Sequence, residues 1–156
     1  MNVTNLITPD RIRCDAEVSS KKRSLELLSE LLASGQPGIN ATQIFDKLIG
    51  RERLGSTGLG KGVALPHARL EGSEQTRGAL IKLQDGIPFD AVDKAPVDVL
   101  FALMVPENCT DEHLRILSGL AEMFSDQALC ERIRSSDSPE EIYRHVMQWQ
   151  TAHQSA

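Results

Sequence analysis

The sequence predicts an α/β fold, a single-domain sandwich in which a mixed β-sheet is flanked by helices. Three observations predict it. Apolar stripes at helical spacing stand before, between and after strand-like runs. Residues 97–105 are almost wholly apolar, as in a strand covered on both faces. Several helix starts carry capping signals. The chain has 156 residues, 40% hydrophobic and 25% charged, which suits one hydrophobic core rather than disorder. One domain is expected over residues 1–156, its core at about 5–150 and a frayed tail at 151–156.

The elements follow in order. Residues 5–7 read as a short strand or loop, stopped by Pro9. Ser20 caps a helix over residues 20–34, with Leu25, Leu28 and Leu32 as its stripe and Leu27 and Leu31 widening it. Gly35 ends it, and Pro37-Gly38 turns the chain. Asn40 and Gln43 make a capping box for a second helix. Ile44, Leu48 and Arg51 share one of its faces, which carries Arg51 to the edge of the core. Val63-Ala64-Leu65 is a short strand limited by Pro66. Residues 79–83 are a strand and Asp85-Gly86 a turn. Thr110 caps the next helix, whose buried stripe is Leu114, Leu117, Leu120, Ala121 and Phe124. A short helix over residues 128–134 follows. Ser138-Pro139-Glu140-Glu141 opens the last one, with Ile142, Val146 and Trp149 facing inward.

Composition excludes several functions. The net charge is −5 and the one basic cluster is Lys21-Lys22-Arg23, so a nucleic-acid partner is not expected. Cys14, Cys109 and Cys130 are odd in number and form no C-x-x-C, which points to reduced thiols in the cytoplasm. No signal peptide is visible, and the longest apolar run is far too short for membrane insertion. Cys109 and His113 make one pair of metal-ligand types without a second pair, so no metal site and no cofactor are expected.

Residues 55–62, Gly-Ser-Thr-Gly-Leu-Gly-Lys-Gly, nearly spell a nucleotide-binding loop. The last position lacks the magnesium-binding hydroxyl. Pro66 would break the helix that must follow, and a helical pattern stands where a strand must precede. The segment is a glycine-rich turn, or a turn whose backbone N–H groups help to hold a phosphoryl group on a nearby side chain. His67 stands directly after Pro66. Imidazole is a neutral nucleophile near pH 7, and its N–P bond is labile, so a phosphoryl group placed there leaves again readily.

The string Arg51-Glu52-Arg53-Leu54-Gly55-Ser56-Thr57-Gly58-Leu59-Gly60, running into Gly62-Val63-Ala64-Leu65-Pro66-His67, resembles the enzyme IIA family of the bacterial phosphotransferase system. It is similar to the mannitol/fructose class and, within that, to the nitrogen-regulatory type. Gly86-Ile87-Pro88-Phe89-Asp90, Pro96-Val97-Asp98-Val99-Leu100-Phe101, Val105-Pro106-Glu107 and Asp111-Glu112-His113-Leu114 extend the match along nearly the whole chain.

The resemblance implies a phosphotransferase in which His67 accepts the phosphoryl group, with Arg51 and His113 as the other active-site residues. Ser56, Thr57 and Gly58 are candidates for positioning the phosphoryl group. The implied donor is an HPr-like phosphocarrier of the NPr type. The implied targets are regulatory proteins such as potassium-transport or sensor-kinase proteins, in nitrogen, carbon or potassium homeostasis. The alternatives are a sugar-specific transport component, or a docking module in which phosphorylation is only a switch. Leu59 and Val63 are candidates for an apolar docking surface beside the turn. Ala68 stands where the family commonly has Gly, and Arg69 where it often has Lys, so a change in the local turn is one expectation.

Overall fold

The computed structural model describes residues 2–73, 75–108 and 111–153. The chain opens with two 3-10 turns, Val3–Asn5 and Pro9–Arg11. Strand β1 (Ile12–Ala16) and helices α1 (Lys21–Ala33) and α2 (Ala41–Leu54) follow. Then come β2 (Gly58–Gly60), β3 (Val63–Ala64), β4 (His67–Leu70), β5 (Arg77–Ile87) and β6 (Val97–Pro106). Helices α3 (Asp111–Phe124), α4 (Gln127–Arg134) and α5 (Pro139–Ala152) complete the described chain. Ser20, Asn40 and Ser138 accept from the backbone N–H groups of Arg23, Gln43 and Glu141, as the capping signals predict. Thr110, expected to cap α3, lies outside the described residues.

Among the described residues six strands form one mixed sheet in the order β1-β5-β6-β3-β2, with β4 also paired to β6. β5 and β6 are antiparallel, while β1 lies parallel to β5, and β3 and β4 lie parallel to β6. β6 alternates between the two faces. Val99, Phe101, Leu103 and Val105 join the core made with α3, α4 and α5. Leu100, Ala102 and Met104 join Leu25, Leu28, Leu32, Ile44 and Leu48 of α1 and α2. The apolar run is thus a two-faced central strand, and each fully buried large side chain contributes about 1.5–3 kcal/mol.

Several expectations are corrected. Of the two readings of residues 5–7, strand or loop, the structure has the loop: Leu6 and Ile7 are buried beside a 3-10 turn, and the strand that was not expected is β1. β5 does not turn at Asp85-Gly86. Residues 84–86 are exposed within the strand, the ladder slips between Lys82 and Ile87, and Ile87 pairs with Val97. Turn-forming residues here serve an irregularity in the ladder. Pro66 interrupts the chain for two residues, after which pairing to β6 resumes at His67. In α3 the buried residues are His113, Ile116, Leu120, Met123 and Phe124, while Leu114 is 64% exposed, so the true stripe is turned by one residue from the expected one. α5 continues through Ala152, and His153 stacks on Trp149, so the helix takes in the start of the expected frayed tail. Residues 154–156 lie outside the described residues.

Gly78 of β5 faces the fully buried ring of Phe101, and a Cβ placed there would lie 2.6 Å from Phe101 Cζ. Gly78→Ala is therefore expected to destabilise the protein by about 1–3 kcal/mol through overpacking. Urea denaturation measures this, and an unchanged midpoint would show that the ring has room to move.

Candidate functional site

His67 is the first residue of β4, and its placement follows from the interruption at Pro66. Pro66 has no N–H to offer a neighbour, but its carbonyl accepts from Leu103 N–H at 2.9 Å. The Leu65 carbonyl instead meets Nδ1 of His67 at 2.8 Å. A carbonyl only accepts, so Nδ1 carries the proton and the Nε2 lone pair is left for chemistry. Ala68 is an ordinary strand residue paired with Met104, with no positive φ, so glycine is not required there.

The His113 ring meets that of His67 edge to face, with centroids 5.3 Å apart. It is brought there by the first turn of α3, where His113 is 5% exposed. Arg69, two residues along β4, donates from Nε to His113 Nδ1 at 3.2 Å. Burial lowers the pKa of His67 most, the Leu65 carbonyl opposes this, the charge of Arg51 lowers it further, the Glu52 carboxylate raises it, and Arg69 lowers it again. His113 is likewise lowered, first by burial and then by the charges of His67 and Arg69. Both shifts favour the neutral ring.

Arg51 lies in the last turn of α2, partly buried, and donates from Nη1 to the Gly55 carbonyl at 2.7 Å. The buried residue of that turn is Glu52, which continues the Ile44–Leu48 stripe. Sequence reasoning gave that place to Arg51. The signal was present, since Ile44, Leu48 and Glu52 stand at strict four-residue intervals.

Glu52 organises the loop beyond it. Its carboxylate accepts from the Thr57 hydroxyl and from Thr57 N–H, the latter at 3.3 Å to each oxygen. Lys21 of α1 pairs with it at 2.9 Å and sits over the Phe89 ring at 4.5 Å. Ser56 Oγ donates to the Phe89 carbonyl at 2.7 Å and accepts from Gly58 N–H at 3.1 Å. Both hydroxyls are thus spent on the loop's own shape. Gly58 packs so close to Ala91 that a Cβ would lie 2.7 Å from the Ala91 Cβ.

Residues 58–64 form an antiparallel pair of short strands, with no helix after Lys61, which removes the nucleotide-loop alternative. Gly62 has φ +83° and packs on Arg134, whose guanidinium grips Asp98 and donates to the Lys61 carbonyl. Leu59 is 43% exposed, whereas Val63 is buried in the core and presents no docking surface. Among the described residues no group of three or more His, Cys, Asp or Glu side chains is placed to hold a metal, and Cys109 lies outside them. No helix of the described residues is long and apolar enough to cross a membrane.

This α/β sheet, with a histidine pair beside an arginine and a glycine-rich loop, matches a known class. The family model described as "Phosphoenolpyruvate-dependent sugar phosphotransferase system, EIIA 2" fits residues 5–149. The chain belongs to this enzyme IIA type 2 family. Within it, the chain is similar to the nitrogen regulatory protein of Pseudomonas aeruginosa, with 41% identity over 94% of this chain and 96% of that one. The crystal structure of nitrogen regulatory protein IIA-Ntr from Neisseria meningitidis superposes with a TM-score of 0.86 at 40% identity, covering 92% of this chain and 98% of that one. The mannitol IIA of Escherichia coli shares the fold with a TM-score of 0.75 at 19% identity, covering 90% and 98%.

Two outcomes follow from the site. Glu52→Ala removes a carboxylate that is 2% exposed and leaves Lys21, itself 21% exposed, without its partner. The expected loss is about 3 kcal/mol, at the low end for a broken buried pair because Lys21 reaches solvent. Thermal unfolding reads it, and a loss below half of that would make the knot around Glu52 peripheral. The histidines give a pH signature. Their folded pKa values lie below the ordinary 6.5. The unfolded chain therefore binds more protons than the folded one in the window below 6.5, and stability falls as pH falls through it. Imidazole titration by NMR should give midpoints under 6.5 for both rings, and a midpoint above 6.5 for His67 would contradict the burial of its ring.

Proposed function

We propose that the protein is a phosphohistidine carrier in the cytoplasm, and that it accepts a phosphoryl group at Nε2 of His67 from the phosphohistidine of an HPr-like carrier of the NPr type. The observation that carries this reading is the bond from His67 Nδ1 to the Leu65 carbonyl. It orients the ring, fixes the proton on the far nitrogen, and leaves Nε2 as the nucleophile. As Nε2 bonds to phosphorus, the N–P bond of the donor breaks and the donor's imidazole leaves. Positive charge grows on the His67 ring, and the Leu65 carbonyl is placed to stabilise it.

Arg51 supplies cationic charge to the phosphoryl oxygens, consistent with its depressing effect on His67. His113 assists by hydrogen bonding. Ser56, Thr57 and Gly58 act by holding the loop, because their polar groups are already engaged within it. Leu54, Leu59 and Leu114 are exposed apolar side chains on the elements that carry Arg51, the loop and His113, which suits them to receive the donor.

Regulation of nitrogen, carbon or potassium homeostasis is the favoured output, through targets such as potassium-transport or sensor-kinase proteins, because the similar proteins bear the name nitrogen regulatory protein. The second reading, a sugar-specific transport component, is the one favoured by the sugar phosphotransferase description of the family model. Each reading prefers a different phosphorylated donor, so rates with an NPr-type carrier and with a sugar-pathway carrier separate them.

Incubation with a radiolabelled phosphorylated carrier is expected to load one phosphoryl group per chain, labile in acid and stable in base. His67→Ala should abolish loading. Arg51→Ala should slow it by about 100-fold and His113→Ala by about tenfold, as for lost electrostatic stabilisers of a transition state. Rapid-quench rates measure this, and normal loading of His67→Ala would place the acceptor elsewhere.

A further inference from the structure

We propose that Arg69 is a positioning residue that sets the tautomer of His113, so that this ring presents a proton on Nε2 to a phosphoryl oxygen carried by His67. The inference rests on the reading of His67 as the acceptor only for what the Nε2 proton meets. The tautomer itself belongs to the unmodified protein.

Arginine Nε–H is always a donor, because the guanidinium has no accepting nitrogen and keeps its charge. Its contact with His113 Nδ1 at 3.2 Å therefore requires a lone pair on Nδ1. In the neutral ring the proton must then sit on Nε2. Protonating both nitrogens would turn the Arg69 contact into a clash of donors and charges. Burial of His113 works in the same direction, since it disfavours the charged ring.

His113 Nε2 is buried and has no hydrogen-bond partner among the described residues. A buried donor left without a partner costs about 1–3 kcal/mol, so an orphan in a residue that is 5% exposed calls for a reason. The reason on offer is geometric. The ring that carries the orphan abuts that of His67, with centroids 5.3 Å apart. A direct bond between the rings does not form, but a tetrahedral group on His67 Nε2 would bring acceptor oxygens into that space.

The two histidines are thus set as opposites from outside the pair. A carbonyl holds the His67 proton on Nδ1, and Arg69 holds the His113 proton on Nε2. One ring offers a lone pair to phosphorus and the other a proton to its oxygen.

The test separates donation from charge and packing. Arg69→Gln puts an amide nitrogen as many bonds from Cα as the arginine Nε, so it keeps the donor and removes the charge. Arg69→Met keeps the chain length and removes both. Long-range proton–nitrogen NMR of the unphosphorylated full chain reads the tautomer of each histidine. The wild type and Arg69→Gln are expected to show His113 protonated on Nε2. Arg69→Met should show a mixture or the Nδ1–H form, with His67 unchanged in all three. Loading of His67 from a phosphorylated carrier should fall about tenfold in Arg69→Met, the effect of losing one aligned hydrogen bond to a charged group, and Arg69→Gln should recover most of it. An Nδ1–H signal for His113 in the wild type, or an unaltered tautomer in Arg69→Met, would overturn the proposal. Correct tautomers without any loading of His67 would leave the Arg69 role standing and sink the carrier reading instead.

Discussion

The site depends on the pairing of β6. A strand with apolar side chains on both faces has no solvent to satisfy its backbone, so both of its edges must be covered. β5 covers one edge, and the segment from β3 through Pro66 to β4 covers the other. A proline within that segment removes a donor but keeps an acceptor, and Leu103 N–H uses it. The ladder therefore continues past the interruption, while the Leu65 carbonyl leaves it. That carbonyl is the group that holds the His67 ring. The proline is thus the device by which a central ladder yields one acceptor to a side chain beside it.

A second constraint holds the glycine-rich loop in register with that device. Glu52 is a buried carboxylate, and such a group is tolerable only when ion-paired and hydrogen-bonded. It finds Lys21 from α1 and both donors of Thr57, so one acid ties two helices to the loop. On the far side Arg134 and Asp98 clamp the Lys61–Gly62 bend, where any side chain on Gly62 would strike the guanidinium. These glycines are present because packing is tight and the backbone turns to positive φ, not because the chain holds a nucleotide. Thr57 and Ser56 spend their hydroxyls on the shape of the loop.

What the sequence made legible was what a single periodicity decides. The run at residues 97–105, the α1 stripe and the caps at Ser20, Asn40 and Ser138 are local signals, and the structure contains each of them. The misses share a cause, since each was decided by a partner distant in sequence. β1 buries little beyond Ile12 and contains a positive-φ Asp15, so its strand character comes from pairing with β5. Asp85-Gly86 read as a turn because nothing local reveals that Ile87 pairs with Val97. Leu114 was assigned inward because α3 has apolar residues on adjoining faces, and only the packed sheet decides which face turns in. Of the candidate site, His67, Arg51 and His113 were named through motif and resemblance, and the structure sets the two histidine rings against each other. The Arg69–His113 bond joins residues 44 positions apart and was not accessible from the sequence.

The electrostatics of the pair follow from one trade. Burial and the neighbouring arginines weaken proton binding at His67 against the opposing Leu65 carbonyl and Glu52, which favours a free lone pair. The same surroundings would penalise any charge brought into them, and a phosphoryl group brings about two negative charges. If His67 carries the proposed phosphoryl group, the Arg51 charge offsets that penalty for an anion while retaining it for a proton, because a guanidinium repels the imidazolium and attracts phosphoryl oxygens. On that reading the arrangement discriminates between the proton and the phosphoryl group that compete for Nε2. Desolvation alone would not discriminate, since it disfavours both charged products. The sign of the neighbouring charge makes the difference: Arg51 and Arg69 lower the proton affinity of His67, Glu52 raises it, and the Nδ1 proton is held by a backbone carbonyl rather than by the carboxylate that usually orients a general base.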